Sequence, residues 1–285
     1  MTAPGLERLA LNTATTKRWT AAEAIEGCVR AAIPAVGLWR DQVAATGLSR
    51  TAELSRAAGI AVTSLCRGGF FTAADAHGRA AAIEDNRRAV EEAATLGTDV
   101  LVLVCGGLPP GSRDLPGARQ MVADGIAEVA PFAAQHGVRL AIEPLHPMFC
   151  ADRAVVSTLG QALDMAESVD PGPASPNAVA PAVGVVVDTY HLWWDPQLFA
   201  MIDRAGPRIL AFQVCDWVLP LPADALLGRG HVGDGCIDIR AIADAVTAAG
   251  YRGYTEVEIF NQEVWDTPGD ETLRIMADRH RQYLT

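Results

Sequence analysis

The chain has 285 residues, 50% of them hydrophobic, and carries 34 acidic against 23 basic side chains for a formal charge of -11. That length can enclose a sizeable core, while the acidic balance, with no basic stretch interleaved with aromatics, argues against nucleic acid as a partner. No apolar run approaches the roughly 20 residues needed to cross a bilayer, which argues against a membrane protein. The first residues, MTAPGLERLALNTATT, lack the basic-then-apolar pattern of a secretory signal. Six scattered cysteines without a CxxC pair read as free thiols in a reducing compartment. A cytoplasmic protein is expected.

Short runs rich in Val, Ile and Leu recur at 9–12, 35–39, 61–65, 100–104, 140–143, 183–188, 209–214 and 254–258, which makes eight predicted strands. Runs such as VLVLV and VGVVVD are apolar at successive positions rather than alternating, as in parallel strands covered on both faces. Between them lie Ala-rich amphipathic stretches that end in glycine, at 84–97, 118–137 and 238–250, predicted as crossover helices. The charges at 84–92 alternate in sign at helical spacing and read as a solvated helix face. Residues 170–182, DPGPASPNAVAPA, read as a surface loop before the sixth strand.

Strands and helices alternate from end to end without a compositional break, so the expected architecture is α/β: one (β/α)8 TIM barrel spanning 1–285. An open doubly wound sheet is the alternative, against which the first strand-to-helix turn, LNTATTKRW, has no GxGxxG and the chain has no GK[ST].

Chemistry in such a barrel sits at the C-terminal strand ends. The fifth strand ends at Glu143, the sixth at Asp188, the seventh contains Gln213 and the eighth ends at Glu258. Taken singly, each carboxylate could be satisfied by backbone amides or an arginine. Three carboxylates after buried aliphatic runs, converging on one mouth, call for a shared cation because desolvation and mutual repulsion both penalise them. With the Gln213 amide the donor set is all oxygen, which favours one hard divalent ion, Mn2+ or Mg2+, with Co2+ the third candidate. Glu256 alternates with Glu258 and also points inward, one layer deeper, and reads as a buried paired carboxylate.

The ordered set IEPLHP, VVVDTYH, FQVCDW, GRGHVGDGCIDI and VEIF resembles the xylose isomerase-like barrels, often called sugar phosphate isomerases/epimerases. These include ketose 3-epimerases, inosose dehydratases and 3-dehydroshikimate dehydratases. The resemblance covers nearly the whole chain and implies that Glu143, Asp188, Gln213 and Glu258 hold the metal. It also implies that His191 and Arg229 contact substrate oxygens. Epimerases of the family usually have His where this chain has Gln213, whereas dehydratase-like members often have Gln.

Other candidates surround this set. His146 is either an acid/base group or a residue fixed in its loop by Pro144 and Pro147. The loop at 228–235 adds His231 and four glycines that would let backbone approach a ligand. Trp39, Arg67, Trp194 and Trp217 are candidates for a substrate wall, with ordinary packing the alternative for the tryptophans. Arg40 also ends the second strand. The segment 216–228 reads as a lid or as a contact between copies in a homo-oligomer.

The expected chemistry is enolisation of a keto-sugar or polyol-derived hydroxy-ketone, with a divalent cation stabilising the enediolate and Glu143 and Glu258 carrying protons. Isomerisation or epimerisation is the leading fate. Elimination by a lyase, using His146, His191 or His231, is the alternative. The absence of a phosphate-cradling glycine loop with a lysine turns the expectation away from a phosphosugar. An endonuclease IV-like nuclease, which would need more than six histidines and a basic surface, and a non-catalytic barrel subunit are weaker readings.

Overall fold

The computed structural model describes residues 3–170 and 181–285. Most of the predicted loop at 170–182 lies outside the described residues. Eight parallel strands close into a barrel: β1 (Leu9–Asn12), β2 (Ala35–Trp39), β3 (Ala61–Gly69), β4 (Val100–Val104), β5 (Arg139–Glu143), β6 (Val183–Asp188), β7 (Ile209–Val214) and β10 (Thr255–Val257). β10 pairs with both β7 and β1, which closes the ring. Two short antiparallel strands, β8 (Asp216–Trp217) and β9 (Arg229–Gly230), form a separate hairpin above it.

Side chains alternate across each strand, so parity decides which residues meet in the barrel and which meet the helices. Cys66, Val100, Val102, Ala141, Val186 and Ala211 pack together in the barrel interior. Their neighbours Leu101, Leu103, Leu140, Ile142, Val185 and Val187 belong to the larger core between barrel and helices. Both sets are apolar, which is why these strands read as continuous hydrophobic runs. The inward parity continues to Glu143, Asp188 and Gln213, so the polar residues occupy the layers above a dry interior.

Two crossover helices start earlier than expected, Ala76–Leu96 and Leu115–Gln135, and the third, Ile239–Ala248, is shorter at both ends. Each begins on an aspartate whose carboxylate accepts from a backbone N–H of the first turn, namely Asp75, Asp114 and Asp238. Such caps fix the residue at which each helix starts. The charged cluster at 84–92 is only partly a solvated face. Asp85 and Glu92 both bind Arg40, whose side chain is thereby fixed between β2 and the 76–96 helix.

β3 runs further than expected because a register shift between Cys66 and Gly68 leaves Arg67 without an opposing residue on β4. Such a bulge bends the strand and re-aims the extra residue. Arg67 is therefore part of the strand end and not of the loop after it.

Candidate active site

Asp188 ends β6 and its Oδ1 accepts from Tyr190 N at 2.7 Å, capping the short helix Thr189–Leu192. One turn later His191 comes back over the carboxylate, its Nε2 lying 3.9 Å from Asp188 Oδ2 and 3.9 Å from Glu143 Oε1. Donor atoms of Glu143, Asp188 and His191 thus lie within 4.8 Å of one another, all buried. Among the described residues no hydrogen bond reaches the Glu143 carboxylate.

Arg229 crosses the same space. The β8–β9 pairing sets it opposite Trp217, Asn261 Nδ2 donates to its carbonyl at 2.8 Å, and its guanidinium lies between the rings of Tyr190 and Phe260. Its Nη1 is 3.0 Å from Asp188 Oδ2 and 3.0 Å from Glu258 Oε2. Nη2 lies 2.9 Å from His191 Nε2. The backbone N–H of His146 points at His191 Nδ1 at 3.2 Å, so both ring nitrogens face donors and a neutral imidazole can accept from only one of them. With the proton on Nε2, Arg229 and His191 face each other donor to donor. A ligand oxygen entering between them would relieve that contact.

Below this layer, Glu256 accepts from Asn12 Nδ2 at 2.6 Å, Thr63 Oγ1 at 2.5 Å, Ser64 Oγ at 3.0 Å and Gln213 Nε2 at 3.1 Å. It is buried as expected, but its partners are neutral donors. Among the described residues no cation pairs with it. Gln213 spends its NH2 on Glu256, and its Oε1 is buried without a hydrogen-bond partner. An orphaned amide oxygen is costly unless something positive meets it. Together with the unbonded Glu143 carboxylate, it makes the residues present fit a divalent ion.

Burial dominates the electrostatics. It drives Glu143 well above the usual carboxylate range, reinforced by the charges of Glu258 and Asp188. It also raises Asp188 and pushes Glu258 up to about 8, in each case against the pull of Arg229. His191 is driven well below its ordinary value by burial and by the positive charge of Arg229. Carboxylates so penalised when charged lack a counter-charge that a bound cation would supply, and an imidazole held neutral keeps the lone pair a metal needs.

A cavity of about 400 Å3 opens above these groups, lined by Trp39, Arg67, Glu143, His191, Arg229, Glu258 and Phe260. Sequence reasoning missed several lining residues, among them Lys17, Arg153 and Trp265. Lys17 and Arg153 come from the loops after β1 and β5, Trp265 from the short helix Gln262–Asp266 after β10, and no motif marks them.

Other candidates lie elsewhere. The His146 ring packs against Trp194 and Trp217 at centroid distances of 5.6 and 5.2 Å, and its Nδ1 accepts from Met148 N. His231 is buried with Nδ1 unpartnered, beside the charges of Asp234 and Arg279. Trp217 is buried and stacks on Tyr190 at 4.7 Å, the packing role that is the alternative to a substrate wall. Asp224, Leu226 and Leu227 of the same segment line the cavity, whereas Leu219 is exposed. The glycines at 228–235 permit close packing against protein. A Cβ at Gly235 would meet Trp217 O at 2.1 Å, and one at Gly233 would meet the Tyr283 ring at 2.5 Å.

The family model of the xylose isomerase-like TIM barrel matches residues 21–282. A 3-dehydroshikimate dehydratase of Pseudomonas aeruginosa is 30% identical over 203 residues, which is 66% of this chain and only 29% of that protein. The chain therefore spans less than a third of that relative. A crystal structure of a Sinorhizobium meliloti 1021 protein superposes with a TM-score of 0.92 at 51% identity over 98% of both chains. The IOLI protein, solved with a bound zinc atom, superposes with a TM-score of 0.81 at 22% identity, covering 98% of this chain and 99% of that one. With a closed eight-stranded barrel and a family match over nearly its whole length, this chain belongs to the xylose isomerase-like TIM barrel family.

Proposed function

We propose that this protein is a divalent-metal-dependent isomerase or epimerase that enolises a hydroxy-ketone derived from a sugar or polyol. The observation that carries the reading is the convergence of Glu143, Asp188 and His191 to within 4.8 Å on the cavity floor. Glu143, Asp188, Gln213 and Glu258 are the residues that would hold the ion. The ion supplies Lewis-acid polarisation of the substrate oxygens, which lowers the barrier to removing the neighbouring proton.

The protein's own groups supply the rest. Glu143 and Glu258 are carboxylates with raised proton affinity, so each is suited to take a proton from carbon and return it. His191, kept neutral, reaches a substrate oxygen through Nε2, where it donates in the Nε2–H tautomer and can join the ion in the other. Arg229 orients the same oxygen from the opposite side. Trp39, Phe260 and Trp265 wall the cavity and exclude water from the reacting carbons.

Elimination is the second reading, supported by Gln213 and by similarity to a relative named 3-dehydroshikimate dehydratase. It shares the first step and differs in the fate of the enediolate. The ion follows from the donors chosen. The four-residue set is all oxygen and suits Mn2+ or Mg2+, whereas entry of His191 suits Zn2+, the metal found in the IOLI structure.

The test is incubation of the protein in D2O with a panel of keto-sugars, inososes and 3-dehydroshikimate, with EDTA and with each metal restored. Deuterium at carbon in recovered ketone or epimer supports isomerase chemistry, and loss of water supports the lyase. No exchange and no product with any ketone under any metal would sink the enolisation scheme.

A further inference from the structure

Three cationic side chains meet at the rim of the cavity from three different strand-end segments: Lys17 after β1, Arg67 on the β3 bulge and Arg153 after β5. Arginines elsewhere on this acidic chain are usually paired. Arg40 binds Asp85 and Glu92, Arg204 binds Asp164 and Glu167, and Arg139 binds Asp99. Among the described residues no carboxylate lies within ion-pair distance of Lys17 or Arg67. Arg153 reaches only its chain neighbour Asp152 at 3.8 Å, and its buried Nε has no hydrogen-bond partner.

Aromatic faces hold these cations. Arg67 lies 4.1 Å from the Phe70 ring centroid and 5.8 Å from that of Trp39, Arg153 lies 5.7 Å from Phe149, and Lys17 Nζ lies 5.3 Å from Trp265. Stacking fixes a guanidinium while leaving its N–H edge free to donate. Besides Glu143 and Glu258, Asp224 also lines the cavity; its Oδ1 caps Leu226 N at 3.1 Å, and among the described residues it makes no ion pair with the rim cations.

With an ion held as proposed, the carboxylates of Glu143, Asp188 and Glu258 would be neutralised by it together with Arg229. The rim cations then outnumber the rim carboxylates: Arg67 feels the positive charge of Arg153 as well as the negative charges of Glu143 and Asp41. A neutral sugar would leave that excess unpaired in a partly desolvated cavity.

We propose that the substrate carries an anionic oxygen group, a carboxylate or a phosphate, on the side away from its reacting carbonyl. Arg67 and Arg153 receive that group, with Lys17 as the outer contact. The inference rests on the reading of this cavity as the site of ketone enolisation. It narrows the substrate class to acidic hydroxy-ketones.

The test uses the full chain loaded with Mn2+ and measures binding, not turnover, of three hydroxy-ketones: D-fructose, 5-keto-D-gluconate and D-fructose 6-phosphate. At least one charged ligand is expected to bind about 10-fold more tightly than D-fructose, with that advantage shrinking as salt rises. Preference for ketogluconate identifies a carboxylate site and preference for fructose 6-phosphate a phosphate site. Arg67→Gln and Arg153→Gln should each weaken the preferred charged ligand about 10-fold and D-fructose by much less. Lys17→Gln, at an exposed position that does not threaten folding, should weaken it less.

Equal affinity for neutral and charged ligands, absence of binding by both charged ligands, or charged-ligand affinity untouched by all three substitutions would overturn the proposal. Solvent exchange on the same samples separates the two ideas. Exchange without charge preference removes only the anion site, and charge preference without exchange removes only the enolisation chemistry.

Discussion

Arg229 and Asp188 form a buried ion pair, Nη1 to Oδ2 at 3.0 Å, and the same nitrogen is equally close to Glu258. One guanidinium is thus the fixed counter-charge for two carboxylates that reach the barrel mouth from β6 and from the end of β10, the two neighbours of β7. Removing it from the metal-free protein leaves both uncompensated, a loss of about 3–5 kcal/mol. Arg229→Met is expected to show that deficit in urea denaturation with EDTA. Saturating Mn2+ should recover part of it, because the ion binds the folded site alone. A deficit identical with and without metal would mean that the ion and Arg229 do not share these carboxylates.

Glu143 differs from Asp188 in lacking a hydrogen bond, so it has least to lose structurally and most to gain from an ion. Glu143→Gln should keep the metal-free stability near wild type while weakening metal binding by more than about 100-fold, read by calorimetry and elemental analysis. Solvent exchange into ketone should fall by at least about 100-fold. Retained metal stoichiometry with lost exchange would leave Glu143 as a proton carrier and remove it from the donor set.

The barrel was legible because parallel strands buried on both faces leave long aliphatic runs. β1, β2, β4, β6 and β7 fall on the expected residues. The polar floor was legible for the same reason, since Glu143, Asp188 and Gln213 stand out against those runs. The guanidinium bridge was not legible. It depends on the β8–β9 hairpin, whose two-residue strands carry no periodicity, folding Arg229 back over the mouth. The rim cations were mostly hidden as well. Lys17 and Arg153 sit in loops, where only the tertiary fold brings unlike segments together, and the bulge that aims Arg67 is a property of register rather than of composition. His146 shows the converse: beside EP it looks functional, and only the rings of Trp194 and Trp217 reveal where it points.

Glu256 anchors the amide of Gln213 from below, and the barrel leaves room for it at Gly37, where a Cβ would come within 2.4 Å of its carboxyl. Glu256→Ala strips four donors of their acceptor and should cost at least about 3 kcal/mol. Glu256→Gln is the sharper probe. It preserves volume but offers an NH2 where only acceptors are wanted, so the Gln213 amide loses its fixed orientation. Metal affinity is expected to drop about 10-fold with the fold intact by circular dichroism. Unchanged affinity would show that Gln213 does not depend on this anchor.

Two buried groups should bend the pH-stability profile in opposite directions. Glu258 is raised from 4.5 to about 8, so the folded metal-free chain holds a proton that the unfolded chain releases, and stability falls as pH rises through that window. A bound ion should abolish this fall, since it replaces the proton. His280, buried on the helix Gly269–Tyr283 with Nδ1 unpartnered, is lowered from 6.5 to about 4 by burial and then by the charges of Arg8 and Arg281, with Glu7 opposing. Its contribution is complete above 6.5 and is lost as pH falls towards about 4, up to about 3 kcal/mol. Thermal unfolding of wild type and His280→Leu across that acid window isolates the effect, because the carboxylates common to both cancel in the difference. The variant should lose less stability on acidification, with or without metal, and parallel profiles would exclude His280 as an acid-sensitive group.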